Sequence, residues 1–238
     1  KRTDDPPPPT KVDNRPLAAR KDEKSPIQIH TIGMHAATVV DLGPGKLDAL
    51  FWGAFQTGEW GALSHSAWSY AIESGYQLPG VPLSPWLRAG FAQSSGDGDP
   101  KDNQHGTFFQ MLPTARIYAQ TPFYTQMNLQ DLFAQLILRP HPKVTVRSDV
   151  HWLRLSEKKD LWYAGGGATN DDVFGFAGLG SDNHRELAYM ADLAINFAIT
   201  PQFGLYGYYG HAFGQGVVKG TFDGSGADYG YLEATYRY

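Results

Sequence analysis

The sequence predicts an all-β fold, a transmembrane antiparallel up-and-down β-barrel, with about nine strands of a larger barrel present in the chain. Three observations predict it. Segments near the ~9–11 residues that cross a bilayer at a tilt alternate apolar and polar side chains with period two. The connections alternate between short, proline-marked turns and longer polar loops, the asymmetry of an outer-membrane barrel. Aromatic residues make up 13% of the chain and there are 27 Gly, a bias that aromatic girdles and tightly packed twisted strands share. No apolar run approaches the roughly 18–20 residues of a membrane-spanning helix. The mean hydropathy of −0.38 suits strands whose lumen half is polar, and a soluble β-sandwich equally.

Residues 1–26 carry a four-proline run, Pro6 to Pro9, with mixed charges and almost nothing to bury. They are expected to be a disordered or extracellular loop segment. Residues 27–238 are expected to form the C-terminal part of an outer-membrane β-barrel. The first strand, Ile27 to Asp41, has ambiguous facing and ends at the Gly43-Pro44-Gly45 turn. Leu47 to Thr57 sets Ala49, Phe51 and Phe55 against Asp48 and Gln56. After a short connection around Trp60 to Ser66, Ala67 to Leu78 sets Trp68, Tyr70, Ile72 and Tyr76 against Ser69, Glu73 and Gly75. The Pro79-Gly80-Val81-Pro82 turn leads to Pro85–Ser95, with Leu87, Ala89 and Phe91 opposite Arg88, Gly90 and Ser94.

An irregular stretch from Gly96 to about Gln126 precedes Asn128–Leu138, where Leu132, Ala134, Leu136 and Leu138 oppose Asp131, Gln135 and Arg139. Pro140-His141-Pro142 turns the chain into Val144–Leu155. There Val144, Val146, Val150 and Trp152 oppose Thr145, Arg147, Asp149 and His151. A second loop, rich in Gly and Asp, runs to Asn183. Leu187, Tyr189, Ala191, Leu193, Ile195, Phe197 and Ile199 then form an unbroken apolar face opposite Glu186, Asp192 and Asn196. Thr200-Pro201-Gln202 turns into Phe203–Phe213, and a third Gly-rich loop leads to the closing strand, Ala227 to Tyr238. That strand sets Leu232, Ala234, Tyr236 and Tyr238 against Tyr231, Glu233, Thr235 and Arg237.

With the closing strand ending in the periplasm, counting back puts the four proline-marked turns there and runs the first strand inward. Bacterial single-chain barrels have even strand counts. About nine strands therefore predict at least one further strand upstream. The absence of cysteine excludes disulfides and thiolate metal sites, and the net charge of −4 gives no nucleic-acid footprint. Lys1 to Lys24 contains no apolar signal core.

The stretch WLRAGFAQSSGDGDPKDNQHGTFFQMLPTARIYAQTPFYTQMNLQD, from Trp86 to Asp131, resembles the alginate-export family of outer-membrane barrels in its SGDGDPKD loop, HGTF, LPT and N-L-x-D strand start. LRPHPKVTVRSDVHWLRLSE, WYAGGG and the closing YLEATYRY are similar to the family's later strands. The resemblance implies a channel in the bacterial outer membrane for passive export of an anionic polysaccharide such as alginate. It also implies contact with outer-membrane lipid and periplasmic export components, and neither a cofactor nor catalysis. The alternative is a general or solute-specific porin for small anions or sugars.

A uronate polymer carries one carboxylate per sugar, which the planar fork of arginine matches. The lumen candidates are Arg88, Arg139, Arg147 and Arg237, with Arg116 in the long loop able to fold inward. Asp131, Asp149, Glu186, Asp192 and Glu233 share the same face, so two readings stand: arginines that select the polymer, and arginines paired with carboxylates to stiffen the wall. Asp97, Asp99 and Asp102 offer oxygen ligands for calcium, but Lys101 interrupts the ligand spacing and a loop held by Asx turns accounts for them. His30 and His35 are an odd number apart on one strand and cannot share a metal; His105 belongs to HGTF in a structural role. Trp52, Trp68, Trp86 and Trp152 are expected in the membrane girdle. Tyr206 and Tyr208 are the inward aromatics that could stack on sugar. No GxSxG nucleophile elbow is present.

Overall fold

The computed structural model describes residues 11, 13–20, 25–110, 119–164 and 178–238. Nine long strands form one antiparallel meander: β1 (Ile27–Leu42), β2 (Gly45–Trp60), β3 (Leu63–Gln77), β4 (Trp86–Ser94), β6 (Leu129–His141), β7 (Val144–Leu155), β10 (Glu186–Ala198), β11 (Phe203–Gly214) and β12 (Gly226–Tyr236). Each pairs with its neighbour in the chain, the up-and-down order of a barrel wall. A one-turn helix, α1 (Leu17–Arg20), precedes β1, and short elements lie in the connections: β5 (Gln104–His105), β8 (Leu161–Tyr163), β9 (Gly178–Gly180) and α2 (Gly216–Thr221). β5 adds to the start of β3 in parallel, and β8 pairs with β9. Among the described residues no helix is long and apolar enough to cross a membrane. The sheet does not close on itself: among the described residues β1 pairs only with β2, and β12 only with β11.

The four proline-marked turns lie together at one end of the sheet. At the other end two of the connections are long, but β2 and β3 meet in a tight Gly61-Ala62 turn. The two strands run on past Thr57 and start before Ala67, because Gly61 takes a φ of +61°, the left-handed conformation a two-residue hairpin needs. The alternation of short and long connections therefore fails at this hairpin.

The two faces differ as the period-two pattern requires. The outer face exposes Ile32, Phe51, Phe55, Trp68, Ile72, Leu132, Val150, Trp152, Leu193, Ile195, Phe197 and Leu205. So broad an apolar surface on a monomer marks a non-aqueous environment, here the lipid-facing band of a transmembrane β-barrel wall. The inner face of β3 carries His65, Ala67, Ser69, Ala71, Glu73 and Gly75 in strict alternation, all buried. The register corrects two girdle assignments. Trp52 stands opposite the inward Ala71, and Trp86 opposite the short-turn end of β3 at Gln77, so both tryptophans face inward while Trp68 and Trp152 face out.

The connections at the long-loop end fold back over this inner face instead of projecting away. Leu153, Leu155, Leu187, Ala188, Met190 and Ala212 of the wall form one buried cluster with Ala119, Tyr124, Trp162, Leu179, Val217 and Val218 of the connections. Burying these side chains offsets the ordering of otherwise irregular chain, at about 25 cal/mol per Å² of apolar area. Residues of the N-terminal segment join the same layer. Lys11 exchanges backbone hydrogen bonds with Gly178, and buried Asp13 accepts from the indole Nε1 of Trp60 at 3.2 Å.

Candidate functional site

The inner face toward the short-turn end is built around an ion-paired cluster spanning three strands. Asp48 of β2 and Arg88 of β4 both stand opposite Gly75 of β3. A Cβ on Gly75 would lie 2.6 Å from the Arg88 side chain, the Asp48 carboxylate and the Trp86 indole alike. The missing side chain is the gap through which Asp48 and Arg88 meet across the intervening strand. Arg88 Nη2 lies 3.0 Å from Asp48 Oδ1 and 3.1 Å from Glu73 Oε2. Trp86 donates its indole N–H to the other Asp48 oxygen at 2.7 Å, and the guanidinium sits 4.9 Å from its ring centroid. Arg88 is thus held by two carboxylates.

Higher on the wall, β6, β7 and β10 bring together groups distant in sequence. Asp192 stands directly opposite Asp149, and Met190 opposite His151. Arg147 donates from Nε to Asp149 Oδ2 at 2.5 Å. His151 bonds through Nδ1 to Asp131 at 3.0 Å, and Asp131 also accepts from Tyr124 of the connection between β4 and β6. Tyr208 donates to Asp192 at 3.0 Å and bonds Thr121 of the same connection at 2.9 Å.

The described parts of that connection, residues 95–110 and 119–128, are anchored at separate places on the inner face. On β2, Gln56 donates to the carbonyl of Phe109 at 2.7 Å and accepts from its N–H at 2.8 Å. On β12, Tyr231 donates to Gln120 at 3.0 Å. Gly210 permits the close approach at β11, since a Cβ there would stand 2.6 Å from Thr121 Oγ1. Tyr206, Tyr208, Tyr229 and Tyr231 form an inward aromatic cluster with centroids 5.6 to 6.3 Å apart between neighbours. Beyond it, at the short-turn end, Asn196, Tyr206, Glu233, Thr235 and Arg237 line a polar cavity of about 340 Å³.

Buried polar groups pin the loop layer. Asp160 accepts from Thr107 Oγ1 (2.6 Å), the Asp97 N–H (2.9 Å), its own neighbour's N–H at Leu161 (2.7 Å) and Tyr163 OH (3.0 Å). Burial nonetheless pushes its pKa up to about 7, and that of Asp97 up to about 6. His105 stacks on Trp60 at 4.1 Å and meets His65 through paired Nδ1 atoms at 2.9 Å, one donating and one accepting. Burial holds the His105 pKa down to about 3, so it is neutral. For Asp13 burial acts upward, but the Arg15 guanidinium at 2.8 Å more than offsets it and the carboxyl sits below its usual range.

The predicted candidates divide by what the structure places around them. Arg88, Asp131, Arg147, Asp149 and Asp192 lie on the inner face in the contacts above. Glu233, on the inner face of β12, and Arg237, just past the end of that strand, both line the cavity at the short-turn end. Arg139 is exposed at the short-turn end, where a register irregularity follows Leu138 and its N–H bonds Leu83. Glu186 is corrected in its facing: a bulge between Glu186 and Ala188 turns it to the outer face, where it accepts from Trp152 and pairs with Arg154 at 3.0 Å. Arg116 lies outside the described residues. Asp97, Asp99 and Asp102 each accept from the N–H two residues on, the Asx turns expected. His35 stands opposite Trp52 and His30 opposite Thr57, on opposite faces.

Asp48, Glu73 and Trp86 were not singled out as site residues, although strand alternation places the first two inward beside Arg88. Tyr124 and Thr121 carried no signal, because only the folding of the loop brings them to the wall.

A family model described as alginate export matches residues 11–217. No curated protein matches the chain.

Proposed function

Since this chain belongs to the alginate export family, an outer-membrane family of polysaccharide transport, we propose that it contributes the wall of a passive conduit for an alginate-like anionic polysaccharide. The observation that carries the reading is the inner face itself. Toward the short-turn end it is polar and aromatic, parts of an in-folded connection are seated on it, and an apolar outer face backs it. In this reading the proline-marked turns face the periplasm and the connections at the other end face outward. Residues 1–26 then form an extracellular segment ahead of the barrel portion at 27–238. Hydrocarbon does not tolerate an open sheet edge, so in this reading the edges of β1 and β12 are paired by the rest of a larger barrel. Polymer synthesis or a concentration difference supplies the drive, periplasmic export components deliver the chain, and no bond is made or broken in the conduit.

The tyrosine cluster offers ring faces to sugars, and Arg237 with Arg139 presents positive charge at the short-turn mouth. Arg88 and Arg147 are different, since each is engaged by a carboxylate. That pairing favours a second reading, a porin for small sugars or anions. Single-channel conductance of the reconstituted protein separates the two. Concentration-dependent block by oligouronate, with little block by neutral oligosaccharide of equal length, is expected of the export conduit. Equal block by both, or none by oligouronate, would refute it.

A further inference from the structure

We propose that Asp149, His151 and Asp192 form a binding site for one divalent transition-metal ion of the zinc class, set in the inner wall beneath the in-folded connection. Asp149 and His151 are two apart on β7 and therefore share its inner face, while Asp192 of β10 stands opposite Asp149. All three are buried, and one ligand atom from each lies within 4.8 Å of the other two. Bonds of about 2.0–2.2 Å to a tetrahedral ion would draw these atoms together by roughly an ångström, within the reach of side-chain rotation.

Two further observations point to a ligand. His151 Nε2 and Asp149 Oδ1 are buried without a hydrogen-bond partner, and His151 is only 4% exposed. Buried polar atoms are almost always partnered, so a pair of orphans within one three-residue cluster calls for an occupant. The remaining atoms are already arranged as a metal site arranges them. Asp131 bonds His151 Nδ1 at 3.0 Å, which places the proton there and aims the Nε2 lone pair inward, the carboxylate–histidine arrangement that orients metal-bound imidazoles. Arg147 occupies Asp149 Oδ2 and leaves Oδ1 available. Tyr208 donates to Asp192 Oδ2, and Tyr124 donates to Asp131.

Two carboxylates facing each other on adjacent strands repel, and one arginine contact on Asp149 does not neutralise both. A cation between them does. One imidazole and two carboxylates suit a borderline ion; calcium prefers six to eight oxygens. Asp131, which bonds His151, also holds Tyr124 of the connection, and Asp192 holds Thr121 of it through Tyr208. A bound ion would therefore tie that segment to the wall.

The test uses the complete barrel purified in detergent, stripped with chelator and titrated with zinc ions by calorimetry and by metal analysis after desalting. One equivalent of zinc is expected, undisplaced by excess magnesium or calcium. His151→Gln and Asp192→Asn should each weaken binding at least tenfold, Asp131→Asn by about 10–100-fold, and the outer-face control His30→Gln not at all. Heat-dependent gel mobility reports whether each variant is folded. The wild-type protein loaded with cobalt(II) supplies a readout independent of variants, a visible spectrum of nitrogen and oxygen ligation. Substoichiometric binding by the folded wild type, binding unchanged in His151→Gln, or a carboxylate pair that takes up only a proton would overturn the site.

Discussion

Arg88 allows a quantitative test of how the wall is held. Its guanidinium lies 3.0 Å from Asp48 and 3.1 Å from Glu73, with side chains 17%, 14% and 8% exposed respectively. Arg88→Met keeps most of the volume and removes the charge, leaving Asp48 and Glu73 mostly buried without the cation they share. Breaking a fully buried pair from one side costs about 3–5 kcal/mol. The residual exposure of all three groups, and the indole N–H that still bonds Asp48, reduce this to about 2–3 kcal/mol. With a guanidinium slope on the order of 4 kcal/mol/M, the unfolding midpoint in detergent should fall by about 0.5–0.75 M. The triple variant with Asp48→Asn and Glu73→Gln should recover at least half of the loss, because no unpaired charge remains. A midpoint shift in Arg88→Met below about 0.1 M would refute the reasoning, as would a triple variant no better than the single.

Two further outcomes test other parts of the molecule. On β10, Leu193→Arg places a charge on the lipid-facing side and should destabilise the protein in bilayers by about 2–4 kcal/mol, whereas Asn196→Arg, on the inner face, should cost under about 0.5 kcal/mol by the same unfolding measurement. The raised pKa values of Asp160 and Asp97 mean that the folded loop layer binds protons more tightly than the unfolded chain. The contribution of these two carboxyls to stability is therefore full below about pH 4 and lost as pH rises through about 6 to 7, while buried His105, with its pKa held down to about 3, contributes in the opposite sense as pH rises toward 6.5. Comparing Asp160→Asn with the wild type isolates the carboxyl: amide-exchange protection of residues 95–110, corrected for intrinsic rates, should shift in favour of the variant as pH rises from about 5 to about 8.

The strand framework was legible because period-two alternation is local. Val144–Leu155 appears in the structure with the bounds its side-chain pattern gives, and the other long strands differ by a few residues at their ends. Facing failed where a local irregularity interrupts the period. The bulge beside Ala188 turns Glu186 outward, and the extension of β2 to Trp60 shortens a connection. Trp52 and Trp86 were misassigned for another reason. Aromatic character suggested the girdle, yet register places Trp86 inward, where its N–H finds Asp48. The candidate metal triad was half visible, since Asp149 and Asp192 share the inner face by alternation. Their juxtaposition depends on the pairing of β7 with β10 across a connection of some thirty residues, which no pattern within either strand encodes. The in-folding of residues 95–110 and 119–128 is likewise a tertiary outcome, decided by a Gln56 and a Tyr231 that any polar inner wall could carry.

The described parts of that connection have footings at two separate places on the inner face, Phe109 at Gln56 and Gln120 with Thr121 at Tyr231 and Tyr208. In a plain cylinder the bore follows from the number of strands, so a change of cargo demands a change of circumference. Loop footings of this kind uncouple the two. Substitutions in one loop, or at its few footings such as Gly210, can widen, narrow or recharge the passage while every strand keeps its register.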